Sequence, residues 1–182
     1  MTVIFPVPLH TERLTLREPD PTAAEAVNSA IRESFDELHR WLPWADHLPS
    51  LEETCTHLTM AQERFRAGDD CGLLIWKRDY KTFVGAIGLH PRLPDPAQRE
   101  IGYWIRSAAA GQGYATEAAR AVAHCALREL GIAGLQIHCS ERNVASQRVA
   151  EGAGFARAAV RNDGRIDPDG QPASTWIYLL TT

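Results

Sequence analysis

The stretch from residue 100 to residue 139 constrains this chain more than any other. Glu100-Ile-Gly-Tyr-Trp-Ile105 reads as a strand, and a run of small residues with two glycines follows it. From Gly113 a long helical pattern runs to Leu130 and stops at Gly131, after which residues 135–139 return to strand. A strand that enters a long helix through a glycine-bearing loop belongs to an α/β chain. It also aims backbone N–H groups and the positive end of a helix dipole at one point, which suits a phosphate or pyrophosphate.

The remaining segments fit the same class. Leu14 to Arg17 alternates with period two, and Asp20-Pro21 is an N-cap with proline at the first helical position. Ser34-Phe35-Asp36-Glu37 and Ser50-Leu51-Glu52-Glu53 both carry the capping-box pattern, and Gly68 closes the helix that the second one opens. From Cys71 the period changes to strand: residues 71–76 and 82–89 read as a hairpin, and a proline-rich loop, Pro91 to Pro96, leads to the strand at Glu100. A short helix over 146–153 and two strands over 155–160 and 174–180 complete the order.

At 182 residues the chain is read as a single domain, 1–182, with enough apolar residues (45%) for a core without staples. The net charge of −4, with basic residues scattered along the chain, argues against a nucleic-acid partner. Neither a signal peptide nor a run approaching the roughly 20 apolar residues of a membrane span is present, so a cytoplasmic protein with no membrane partner is expected. Cys55, Cys71, Cys125 and Cys139 form no C-x-x-C pair and are expected to be buried free thiols.

Several residues are candidates for chemistry. Gly111-Gln112-Gly113 matches neither dinucleotide nor nucleotide-triphosphate loop spacing, which leaves open a phosphate site or a plain strand-to-helix turn. Asn143 and Ser146 fit a helix cap. Glu100 opens an apolar strand, either as an exposed end or as a working carboxylate. Trp41 and Trp44, with Pro43 between them, suit either core or one wall of a substrate pocket, and His90 is the histidine nearest the expected cleft. Asp163, Asp167 and Asp169-Gly170 echo a calcium loop only faintly, without its ligand spacing, so no metal is expected.

Taken in order, seven pieces resemble the GNAT superfamily of N-acetyltransferases, and within it the branch of ribosomal-protein N-terminal acetyltransferases. They are Thr11-Glu-Arg-Leu-Thr-Leu-Arg17, Trp41-Leu-Pro-Trp44, Val84-Gly-Ala-Ile-Gly88, Glu100-Ile-Gly-Tyr-Trp-Ile105, Gly111-Gln-Gly-Tyr-Ala115, Asn143-Val-Ala-Ser146 and Gly154-Phe155. The resemblance implies a mixed, mostly antiparallel, twisted sheet flanked by helices and splayed at a cofactor cleft between the strands at 100–105 and 135–139. It implies acetyl-CoA as co-substrate, its pyrophosphate on the amides of Gly111, Gln112, Gly113, Tyr114, Ala115 and Thr116. The pantetheine arm would pair with the strand backbone around Trp104, Ile105 and Arg106, with Asn143 and Ser146 also at the cofactor.

By position Glu100 resembles a general base and Ser146 a group that serves the departing thiolate, while Trp41, Trp44 and His90 would meet the acceptor. Two departures stand out: Ala110 occupies a loop position that is usually Arg or Gln, and Ala150 one that is often an acidic Tyr. The implied reaction is acetyl transfer to a primary amine, on a protein N-terminus or a small molecule, by direct attack in a ternary complex. A catalytically silent acyl-CoA-binding module is the alternative, and a homodimer is left open.

Overall fold

The computed structural model describes residues 4–91, 98–162, 164, 166–167 and 170–181. The loop anticipated at 91–96 and the aspartates at 163 and 169 therefore lie largely or wholly outside the described residues. One eight-stranded sheet runs in the order β1-β2-β3-β4-β5-β6-β8-β7. Its strands are β1 (Leu9–His10), β2 (Leu14–Arg17), β3 (Cys71–Lys77), β4 (Phe83–Pro91), β5 (Gln98–Ile105), β6 (Gly134–Ser140), β7 (Ala156–Arg161) and β8 (Thr175–Thr181). All neighbours are antiparallel except β5 and β6. Five helices flank it: α1 (Ala24–Glu33), α2 (Phe35–Trp41), α3 (Leu51–Ala67), α4 (Tyr114–Arg128) and α5 (Val144–Gly152).

Strand alternation divides the core in two. Leu73 and Ile75 of β3, Ile87 and Leu89 of β4, and Ile101 of β5 face α4, whose Ala118, Ala119, Val122, Ala123 and Ala126 are buried at helical spacing. Small side chains let that helix lie close to the sheet, so each large strand residue beneath it is fully covered, at about 1.5–3 kcal/mol per residue. Leu74, Phe83, Ala86 and Trp104 face the opposite way, against α1 to α3.

The parallel β5–β6 ladder is short. It pairs Gln98 with Gly134, Arg99 with Leu135 and Glu100 with Gln136, and there it ends. From Ile101 to Ile105 β5 pairs only with β4, while β6 continues along β8, so the sheet splays open immediately after Glu100. Close contact on the other side of β5 depends on Gly85, where any Cβ would run into the Trp104 carbonyl.

Two expected helix starts are corrected, and one strand is added. Leu9–His10 forms an edge strand too short to show a period. The Asp20 cap is present, its carboxylate accepting from Thr22 N at 2.9 Å, but it opens a 3₁₀ turn over Pro21–Ala23 and the α-helix starts at Ala24. The capping box expected at Ser34 does not form. Ser34 Oγ instead accepts from Ser107 N at 2.8 Å, and the Glu37 carboxylate accepts from Ser107 Oγ at 3.0 Å, so both side chains serve the segment after β5. The box at Ser50 forms as read, with Ser50 Oγ accepting from Glu53 N and Glu53 accepting from Ser50 N. Of the cysteines, Cys71, Cys125 and Cys139 are buried but Cys55 is only half-buried.

Candidate functional site

Between β5 and α4 the chain makes a 3₁₀ turn, Ser107–Ala109, and then crosses Gly111 and Gly113, both left-handed with φ of +73° and +79°. Side-chain-bearing residues adopt that conformation at a cost, so both glycines are required by backbone geometry alone. Gly113 is the N-cap of α4 and has no side chain to cap it. The first helical bond runs from Glu117 N to the Gly113 carbonyl, which leaves the N–H groups of Tyr114, Ala115 and Thr116 ahead of the ladder. Open space surrounds Gly111, where a Cβ would have no neighbour within 4 Å.

This loop end borders an open cavity of about 360 Å³ lined by Glu12, Arg13, Gly113, Thr116, Glu117 and Arg120. Glu117 organises it. Its carboxylate accepts from Thr11 Oγ1 at 2.5 Å, from Arg13 N at 2.9 Å and from Arg13 Nε at 2.7 Å. Burial pushes that carboxyl up, but these hydrogen bonds together outweigh it and leave Glu117 below the ordinary carboxylate range. Arg13 also donates to the Gln112 carbonyl at 3.0 Å and lies over the buried Tyr114 ring, with 4.7 Å to its centroid. Two guanidinium groups, Arg13 and Arg120, thus stand beside a loop that has Ala110 where a polar side chain was expected.

At the strand end whose backbone was expected to meet the cofactor, successive side chains take opposite faces. Ile105 packs toward the α4 core, whereas Trp104 points to the opposite face. The Arg106 guanidinium is ion-paired with Glu33, and its amide donates to the Val84 carbonyl at 2.9 Å. Glu33 additionally accepts from Ala108 N at 3.0 Å, so α1 holds the approach to the loop. Arg106 is therefore committed to the protein itself in both its guanidinium and its N–H.

Across the splay, Asn143 caps α5 by accepting from Ser146 N at 3.0 Å, the local role its sequence suggested. Ser146 Oγ lies 2.8 Å from the Tyr103 hydroxyl, which also donates to the Ser146 carbonyl at 3.2 Å. Tyr103 sits on the part of β5 that no longer pairs with β6, so this contact bridges the opening. Burial holds its phenol well above the ordinary tyrosine range and keeps it neutral. Ala150 is fully buried, so the missing tyrosine has no room there. Tyr103 was overlooked in the sequence because nothing local distinguishes it from a core aromatic.

The face of β5 opposite α4 carries Glu100, Gly102 and Trp104 in succession. Antiparallel register sets His90 directly across from Glu100, Gly88 across from Gly102, and Ala86 across from Trp104. Trp44 closes on Trp104 with ring centroids 6.2 Å apart, and Phe83 lies 5.7 Å from Trp104 on the same face. Trp41 does not join them; it ends α2 under the Arg40 guanidinium. At the Glu100 end, His138 of β6 brings Nδ1 to 3.9 Å from the Glu100 carboxylate, and its Nε2 contacts Gln136 Oε1 at 2.7 Å. His90 Nδ1 contacts the Asp70 carboxylate at 2.7 Å.

The remaining titratable candidates offer no obvious nucleophile. Burial pushes the thiol of Cys71 up to about 11 and that of Cys125 up to about 12. Asp167 is buried and accepts from Ser140 Oγ at 2.6 Å. Among the described residues no group of His, Cys, Asp and Glu could hold a metal ion, and no helix is long and apolar enough to cross a membrane.

Comparison with known proteins identifies the family and the fold. Residues 13–156, about four-fifths of the chain, match the family model described as an acetyltransferase (GNAT) domain. The N-acetyltransferase YoaA of Bacillus subtilis (strain 168) is 27% identical over 177 residues, 97% of each chain. RimL, a ribosomal L7/L12 alpha-N-protein acetyltransferase solved in complex with coenzyme A, superposes with a TM-score of 0.84 at 23% identity, covering 98% of this chain and 97% of its own. The microcin C7 self-immunity acetyltransferase MccE, solved with acetyl-CoA and AMP, gives 0.84 at 18% identity, covering 97% and 100%. Both structures share the fold.

Proposed function

The chain belongs to the GNAT acetyltransferase family and is an acetyl-CoA-dependent N-acetyltransferase; from that premise we propose that its acceptor is the α-amine of a protein N-terminus, deprotonated at Glu100 and acetylated by direct attack in a ternary complex. The observation that carries this reading is the end of the β5–β6 ladder at Glu100. The sheet opens there, with the glycine loop and the free amides of α4 at one side of the opening and a carboxylate at its apex. The known substrate of RimL, a protein α-amine, supports the choice of acceptor.

The loop suits the phosphates of acetyl-CoA. Two left-handed glycines keep side chains out of the way, and the amides of Tyr114, Ala115 and Thr116 point out of the helix end with no capping side chain. Arg13, ion-paired with Glu117, and Arg120, which donates to the Gly152 carbonyl, stand at the same end as guanidinium donors. Acetyl-CoA supplies the activated acyl group. The protein's own task is then to strip a proton from the acceptor, since only a neutral amine attacks and α-amines have pKa values near 7.7–8.0. Glu100 takes this proton, and Ser146, held by Tyr103, hydrogen-bonds the departing sulfur. Trp44 and Trp104 form the wall against which the acceptor's first side chain packs.

The test is thiol release from acetyl-CoA with a panel of unblocked peptides, free amino acids, polyamines and N-terminally blocked peptides carrying lysine. Unblocked peptides should turn over fastest. Preferential turnover of lysine-bearing blocked peptides or polyamines would replace the α-amine reading.

A further inference from the structure

An ammonium that becomes a secondary amide gives up two protons, one before the C–N bond forms and one afterwards. One of them ends on the sulfur of the leaving thiol and the other reaches solvent. A single carboxylate at Glu100 accepts one proton at a time, which directs attention to the group that faces it.

That group is His90. It is the direct register partner of Glu100 on the same face of the sheet, at a Cβ separation of roughly 5 Å. Its ring does not stand away from the strand but lies folded over Gly88, where any Cβ would overlap the imidazole. The ring also reaches the glycine opposite, with Nε2 3.6 Å from where a Gly102 Cβ would be. Asp70, two residues beyond the glycine that ends α3, holds the other nitrogen through a 2.7 Å contact from Nδ1 to its carboxylate. A carboxylate there makes Nδ1 the N–H donor, so the neutral ring presents the Nε2 lone pair to the floor between Glu100 and Trp104. The side chain stays 45% exposed, open to an acceptor and to solvent.

We propose that the Asp70–His90 pair is a second proton acceptor for the acceptor amine, working beside Glu100. This rests on the reading that amine chemistry takes place on this face. The balance is complete without a further reagent. One N–H proton passes to Glu100 or His90, and the nitrogen lone pair bonds to the acyl carbon. The second N–H proton passes to the other of the two bases, and the C–S bond breaks with its electron pair on sulfur. Sulfur gains a proton from the hydroxyl side at Ser146, which is made good from the protonated bases, and one proton leaves through the exposed imidazole. The groups facing His90 agree in sign. The hydrogen bond to Asp70 raises its pKa above the ordinary histidine value, burial opposes this, and the charges of Asp70 and Glu100 add to it. Beyond Glu100 stands His138 of β6. A base raised above 6.5 is well matched to an α-amine near 8.

The test uses the intact protein with one peptide acceptor, in parent, H90Q, D70N and E100Q. H90Q should lose about 10²-fold in kcat, the lower end of general-base contributions, with melting temperature and acetyl-CoA affinity at parental values. In the parent, kcat should fall as pH drops through the raised His90 pKa. D70N removes the largest cause of that elevation, so its acid limb and the His90 titration followed by NMR should both move to lower pH. Activity within threefold of parent in H90Q, or an acid limb that D70N leaves in place, would overturn the proposal. If those variants behave as parent while E100Q alone is crippled, Glu100 stands as base and the pair is structural. If E100Q also matches parent, the reading of this face falls with it.

Discussion

The two ends of the cleft are built on different plans. At the end we propose for the phosphates, Gly111, Gln112, Gly113, Tyr114, Ala115 and Thr116 are consecutive, and the groups they offer are backbone amides whose direction follows from helix geometry. At the end we propose for the acceptor, Asp70, His90, Glu100 and His138 come from the turn after α3 and from β4, β5 and β6, and the groups they offer are side chains. The first kind of site tolerates sequence change so long as the backbone can turn. The second depends on register, because a one-residue slip of β4 against β5 would move His90 to the opposite face.

The largest expected effect tests the acceptor end. Glu100→Gln should cut turnover by about 10² or more at pH 7 while acetyl-CoA affinity changes little, and the loss should shrink as pH rises toward the amine's own pKa. A steady-state series across pH 6 to 9 checks both the size and the slope.

A comparable loss confined to binding is expected at the other end. Gly113→Glu should weaken acetyl-CoA about 10²-fold by calorimetry, because the +79° φ penalises any side chain and the carboxylate repels phosphate. Gly113→Asn, which tolerates the left-handed conformation, should bind more tightly than the Glu variant. Equal affinities for the two would mean that the loop does not approach the phosphates.

Smaller effects separate the walls from the frame. Trp44→Ala should raise the acceptor KM by about 5- to 10-fold through loss of the contact with Trp104, with little change in acetyl-CoA affinity. Glu117→Gln should cost about 1–2 kcal/mol, seen as a melting temperature lower by about 2–8 °C near neutrality. Because the parent carboxyl is held below its ordinary range, its stabilisation is complete above the unfolded carboxylate pKa and disappears as pH falls through the folded value. The difference between parent and Glu117→Gln should therefore narrow in acid, which a melting series from pH 7 to pH 3 measures.

Local patterns in the sequence were enough to place most of the elements. The Ser50 capping box, the helix-closing glycine at 68, the glycine loop at 111–113 ahead of α4 and the period change at Cys71 each act within a few residues, and each appears where it was read. The splay also stands where the resemblance put it, between β5 and β6. For Trp104 and Arg106 the resemblance concerned only the backbone, which lies at the opening, and there its reach ended: tertiary contacts decided the side chains, Trp104 packing with Trp44 and Phe83 and Arg106 pairing with Glu33. Ser34 shows the same limit on a smaller scale: its sequence fits a cap, but a backbone N–H of Ser107, 73 residues away, was the better partner.

Sequence by itself thus determined the α/β class, the capped start and glycine stop of α3, and the glycine loop, because those depend on dihedral preferences and on spacing within a turn or two. Only the tertiary structure decided that Arg13 closes on Glu117, 104 residues along the chain, that Tyr103 bridges to Ser146, and that Asp70 and His90 come to face Glu100. Those pairings follow from which strands neighbour one another and in what register. That outcome is set by burying both faces of the whole sheet at once, and no local window of residues contains it.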